Sequence, residues 1–113
     1  MQIREMEQQG AVALITLSGR VTINDQPGLL KDAVTGTLTR GARHVLLDLS
    51  GVGYIDSTRL GELIAAHVSV TKLGGHLRLV ATPDRVAELL HLAGLDKVFE
   101  RFDSTEEAFK GLN

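Results

Sequence analysis

Val12 to Leu17 (VALITL) is a short run of apolar and β-favouring residues closed by Ser18-Gly19. Such a run, ended by a turn-forming pair, predicts a strand. Met1 to Met6 is placed beside it as a pairing segment. Pro27 suits the first turn of a helix, where its missing N–H leaves no bond unmade. Leu29, Leu30, Ala33, Val34 and Leu38 follow at helical spacing, and Gly41 closes the segment. Val45 to Leu49 (VLLDL) is nearly all apolar, the pattern of a central strand covered on both faces. SGVGYID then reads as a loop. From Ser57 the pattern turns helical, with Leu60, Leu63, Ile64, His67 and Val68 on one face, and Gly74-Gly75 stops it.

Leu77 to Val80 (LRLV) predicts the next strand. Thr82-Pro83 reads as a cap followed by a first-turn proline. Val86, Leu89, Leu90 and Ala93 form the expected buried stripe of the helix that Gly94 ends. Val98 to Phe102 reads as a last short strand. Ser104 with Glu107 makes a capping box for a final helix carrying Ala108, Phe109 and Leu112. Alternation of strand and helix from residue 12 onward implies βαβ crossovers. The expected fold is α/β: a mixed, mainly parallel sheet of four to five strands with about four helices. Part of that sheet is expected to be covered on one face only. The length of 113 residues fits one domain, residues 1–113.

Composition narrows the function. A formal net charge of −2 offers no basic excess to neutralise phosphates, so direct nucleic-acid binding is not expected. With no Trp and one Tyr, a base-stacking platform is not expected either. No apolar run approaches the roughly 20 residues of a membrane span, so no membrane insertion is expected. MQIREMEQQG lacks the apolar core of a signal peptide, and the expected location is the cytoplasm. The absence of cysteine removes disulfides, thiolate catalysis and thiolate metal sites.

The chemistry gathers at Asp56-Ser57-Thr58, where a buried strand meets an amphipathic helix. Unpaired N–H groups and the positive end of the helix dipole favour negative charge there. Two readings stand at this point. Asp, Ser and Thr are the commonest N-caps, so the cluster caps the helix. Alternatively, a hydroxyl at the helix start is a place for a phosphate.

The run VLLDLSGV followed by YIDSTRLGELI resembles the STAS domain of bacterial anti-sigma factor antagonists. Their pattern is a strand, a short turn, then Asp-Ser-Ser/Thr-Gly-Leu-Gly opening a helix. Asp56, Ser57, Thr58, Leu60 and Gly61 match it one for one. Ser18-Gly19-Arg20-Val21, Gly74-Gly75 before LRLV, and the segment Leu92 to Phe99 are similar to other family landmarks in the same order. The resemblance implies that Ser57 is the phosphorylation site, with Thr58 as the alternative acceptor. It implies an anti-sigma factor that is also a serine kinase as partner, and a phosphatase that restores the active form. Unphosphorylated protein would bind the anti-sigma factor and free a sigma factor for transcription. The expected partner surface comprises Asp56, Thr58, Arg59 and Gly61 with Thr22, Asn24 and Asp25 of the neighbouring loop; a homodimer is compatible with it.

Arg59 stands where the family pattern has Gly. That places a bulky cation on the expected surface, within reach of a phosphate on Ser57. An acidic residue that the family carries near position 22 is replaced by Thr22, with Asn24 and Asp25 out of register. Both departures suit the alternative role, a non-switching STAS scaffold or an accessory subunit of a lipid transporter.

No catalytic constellation, metal or cofactor is expected. Asp48 resembles the acceptor strand of response-regulator receivers, but no acidic pair follows the first strand to hold a hard cation. Gly51-Val52-Gly53 would need a third glycine where Asp56 stands. Ser57 is not in a Gly-x-Ser-x-Gly elbow. His44, His67, His76 and His91 lack ligand spacing. His67 is expected to pack on its helix stripe, and His91 to lie on or beside an exposed helix face.

Overall fold

The computed structural model describes residues 1–112. Five strands, β1 (Gln2–Gln9), β2 (Val12–Val21), β3 (His44–Ile55), β4 (Leu77–Val80) and β5 (Glu100–Phe102), form one sheet in chain order. β1 runs antiparallel to β2, and every other pair is parallel. Four helices, α1 (Leu29–Thr39), α2 (Ser57–Lys72), α3 (Asp84–Leu92) and α4 (Thr105–Phe109), complete the mixed, mainly parallel α/β fold.

Strand alternation sorts the core into two layers. Val45, Leu47 and Leu49 of β3, with Ile15, Leu17, Leu77 and Leu79, face Leu30 and Val34 of α1, Leu63, Ala66 and Val70 of α2, and Val86 and Leu90 of α3. Leu46, Val12 and Val80 point the other way and meet Ala108 of α4, with Leu14, Phe102, Phe109 and Leu112 around them. Among the described residues, three helices therefore share one face, and only the short α4 covers the other. Edge strand β1 is largely exposed and carries Arg4, Glu5 and Glu7, charges that oppose edge-to-edge pairing.

Several expected boundaries move, each for a local reason. β2 does not stop at Ser18-Gly19; Gly19 takes φ 87°, the ladder slips beside it, and the strand runs on to Val21. SGVGYID is not a loop. β3 continues through Ile55 because Gly51 permits close approach to β2: a Cβ there would lie 3.0 Å from Ser18 Cβ and 3.2 Å from the Leu17 carbonyl oxygen. Gly75 is a sharper case, since its Cβ would fall 1.7 Å from the Arg43 carbonyl oxygen.

Pro27 precedes α1 rather than opening it, because left-handed Gly28 is the N-cap. Thr82 is not a cap either: α3 begins at Asp84 after Pro83, with no side-chain cap bond. The buried stripe of α2 is Leu63, Ala66 and Val70, and Val68 is exposed. Ala93 lies past the end of α3 and is exposed. β5 begins at Glu100, not Val98. Ser104 accepts from the Glu107 N–H at 3.2 Å, the expected cap of α4.

Candidate functional site

A single residue, Asp56, joins β3 to α2, and its backbone N–H donates to the Val21 carbonyl at 3.0 Å. One carboxylate oxygen accepts from the Arg59 N–H at 2.8 Å, which is N-cap geometry. The other accepts from the Ile23 N–H. Asp56 therefore performs the capping role and also ties α2 to the loop between β2 and α1. Ser57 and Thr58, the first two helical residues, are exposed. Gly61 is exposed too, with open space where a Cβ would sit.

Arg59 does not lie on the surface. It is 5% exposed, and its guanidinium points into the β2–α1 loop. Nε donates to the Thr22 carbonyl at 2.9 Å. Nη2 donates to the Asp25 carbonyl at 2.7 Å and reaches the Ile23 carbonyl at 3.5 Å. Nη1 pairs with Glu62 at 2.9 Å. The stem folds inward because three loop carbonyls converge there, and a planar fork with fixed donors can satisfy them together. Glu62 uses its second oxygen to accept from the Lys31 N–H at 2.8 Å, an otherwise open donor in the first turn of α1.

The loop closes on itself as well. Asn24 is exposed, and its N–H donates to the Thr22 hydroxyl at 3.2 Å. The Asp25 carboxylate turns inward, accepting from the Thr22 N–H at 2.7 Å and from the Met1 ammonium at 2.6 Å. Burial raises the Asp25 pKa, but the ammonium and Thr22 bonds, with the charges of the ammonium and Arg59, outweigh it and hold the group below its usual value.

Beside Ser57 lies an open groove of about 350 Å³, lined by Tyr54, Asp56, Ser57, Leu60, Leu89 and Leu92 among others. Leu92 is 74% exposed, and Ile23, whose N–H Asp56 holds, is 66% exposed. Leu92 lines the groove itself, whereas Ile23 is on the loop whose backbone Asp56 holds. Sequence reasoning placed the loop of residues 22–25 on the surface without singling out Ile23, and it missed Leu92 and Glu62. The Arg59/Glu62 spacing of three residues was the available sign of the last. A larger depression of about 450 Å³, with Thr82, Asp84, Phe99 and Arg101 in its lining, lies away from Ser57 and includes none of the hydroxyl cluster.

Asp48 and the histidines singled out in the sequence have structural partners. Asp48 accepts from the Ser50 N–H at 2.9 Å. Gly51 and Gly53 lie within β3, which removes the loop that a dinucleotide site needs. His67 packs edge-on to Phe99 at 5.2 Å, and exposed His91 pairs with Asp96. His44 is buried and accepts from the His76 N–H at 3.0 Å. Among the described residues, no helix is long and apolar enough to cross a membrane.

Residues 4–108 match the model of the STAS domain. A protein of Thermotoga neapolitana, named as a candidate anti-sigma factor antagonist and TM1081 homolog, is 36% identical over 73 residues, which is 65% of this chain and 65% of that protein. The chain thus matches slightly under two thirds of that relative's length. The anti-sigma F factor antagonist of Paenibacillus polymyxa is 24% identical over 108 residues, covering 96% of this chain and 92% of its own. Among solved structures, a crystal structure of the Thermotoga maritima protein TM1081 superposes with a TM-score of 0.85 at 27% identity, over 96% of this chain and 92% of that one.

Proposed function

The chain belongs to the STAS domain family, and from that premise we propose that it acts as an anti-sigma factor antagonist, a binding module switched by phosphorylation of Ser57. The observation that carries this reading is the exposure of Ser57 and Thr58 on the first turn of α2, beside the groove lined by Leu60, Leu89 and Leu92. Names borne by relatives that align along most of the chain support the same role.

The unphosphorylated chain binds an anti-sigma factor across this turn and frees the sigma factor. That partner is also the serine kinase: the γ-phosphoryl group of ATP passes to the Ser57 oxygen, the hydroxyl proton leaves to a base on the kinase, and ADP departs. A phosphatase returns the serine. The added group carries roughly −1.5 to −2 charge. It sits next to the Asp56 carboxylate, while the nearest cation on α2, Arg59, is already committed to Glu62 and three carbonyls. In a desolvated interface an uncompensated charge costs several kcal/mol.

Incubation with the anti-sigma kinase and ATP, followed by intact-mass measurement and peptide mapping, is expected to place one phosphate on Ser57. A phosphate on neither Ser57 nor Thr58 defeats the switch. Ser57→Asp is expected to weaken binding of the anti-sigma factor by about a hundredfold, the equivalent of about 3 kcal/mol, with the fold intact. Unchanged affinity in that variant identifies a non-switching scaffold instead.

A further inference from the structure

We propose that Arg59 is a positioning residue that locks the β2–α1 loop from inside α2, holding Ile23 as a preformed apolar contact on the loop that Asp56 ties to the start of α2. The binding consequence rests on the role proposed above; the lock itself is a property of the free chain.

Ile23 is an exposed apolar residue in an irregular loop, yet its backbone is held by side chains of another element. Its side chain is 66% exposed, and its backbone is held on both sides, the N–H by Asp56 and the carbonyl by Arg59. The adjoining carbonyls of Thr22 and Asp25 end on the same guanidinium. Glu62 fixes that guanidinium in turn and anchors the start of α1. The loop is thus bonded from α2, not only within itself. A loop ordered before association loses less freedom when it is covered, so the lock favours a long-lived complex. At 5% exposure Arg59 does not itself meet a partner, and its effect on binding passes through the position of Ile23.

Hydrogen exchange on the free chain tests the lock. In Arg59→Ala the amides of Thr22, Ile23 and Asp25 are expected to exchange at least tenfold faster, while Val45 and Leu47, which open only with the whole fold, speed up by no more than the loss of global stability requires and stay better protected than the loop. Arg59→Lys, which keeps the charge but loses the fork, is expected to fall between. Unchanged loop amides in both variants, or Val45 and Leu47 falling to the protection of the loop, overturns the proposal.

Binding of the anti-sigma factor tests the route. Arg59→Lys and Ile23→Ala are each expected to speed dissociation several-fold, and the double variant to be little worse than Ile23→Ala alone. Additive losses would show that Arg59 does not act through Ile23. Should the unaltered chain bind no anti-sigma factor, the proposed function fails, while the exchange result still decides the lock.

Discussion

The β2–α1 and β4–α3 connections both leave parallel strands on their way to helices of the same layer, and they are built in opposite ways. The first spans residues 22–28 and is held by Asp56, Arg59 and Glu62 of the neighbouring connection and helix. The second spans residues 81–83. Ala81 takes a left-handed φ of 51°, α3 has no side-chain cap, and the Thr82 hydroxyl is buried with no hydrogen-bond partner among the described residues. Directed polar bonding is concentrated at the connection beside Ser57. The other connection follows from backbone conformation and packing. A loop that must present a fixed surface gains from side-chain bonds; one that only returns the chain to its layer does not need them.

Removing the lock gives the largest expected effect. Arg59→Ala strands three loop carbonyls and the Glu62 carboxylate, and breaking one side of a buried pair costs about 3–5 kcal/mol. Urea unfolding of the variant checks this, and a loss under 1 kcal/mol would erase the contrast between the two connections. Asp56→Ala comes next. It removes a helix cap, worth roughly 1 kcal/mol, and leaves the Ile23 N–H without its acceptor, for about 2 kcal/mol in all.

Asp25→Asn tests the loop from its own side, with a smaller loss on the order of 1 kcal/mol at neutral pH. Its pH dependence has a fixed sign. Because the folded chain holds the Asp25 pKa below its usual value, the stabilisation is complete above the unfolded value near 4 (~3.9) and disappears as pH falls through the lower folded value. The stability difference between the parent chain and Asp25→Asn is therefore expected to be level from pH 5 to 7 and to shrink in more acidic solution. A difference that grows on acidification contradicts the assigned contacts.

The succession of strands and helices and the mainly parallel sheet were legible in the sequence, because apolar periodicity and parallel crossovers depend on side-chain type alone. The ends of elements were less so. Ser18-Gly19 and SGVG carry turn-forming residues, yet in the sheet those glycines serve a bulge and a close strand contact. Ser57 and Thr58 were legible as exposed hydroxyls at a helix start. Arg59 was not legible as a buried residue, because charge predicts exposure and only folding brings the carbonyls of residues 22, 23 and 25 to one place. Ile23 and Leu92 went unread for a related reason: an apolar side chain left outside breaks no local rule.

The smallest effect is expected at Ala81, and it sharpens the comparison because three contributions oppose one another. A left-handed backbone costs a residue with a Cβ about 1–2 kcal/mol, which glycine avoids. Glycine gives back about 0.5–1 kcal/mol through the greater freedom of the unfolded chain. Ala81 is also packed against the layer formed by Leu46, Val80 and Ala108, so losing its methyl removes part of the roughly 0.8 kcal/mol that a buried carbon contributes. At the middle of these ranges the contributions to Ala81→Gly nearly cancel, leaving about 0.3 kcal/mol. The Ala81 N–H, which donates to the Phe102 carbonyl at 2.9 Å, is kept in the variant, so β5 stays attached at this end. Thermal unfolding should show almost no shift. A loss as large as that of Arg59→Ala would mean that the β4–α3 connection is held as firmly as its counterpart, by packing instead of hydrogen bonds, and that polar bonding alone does not distinguish the loop beside Ser57.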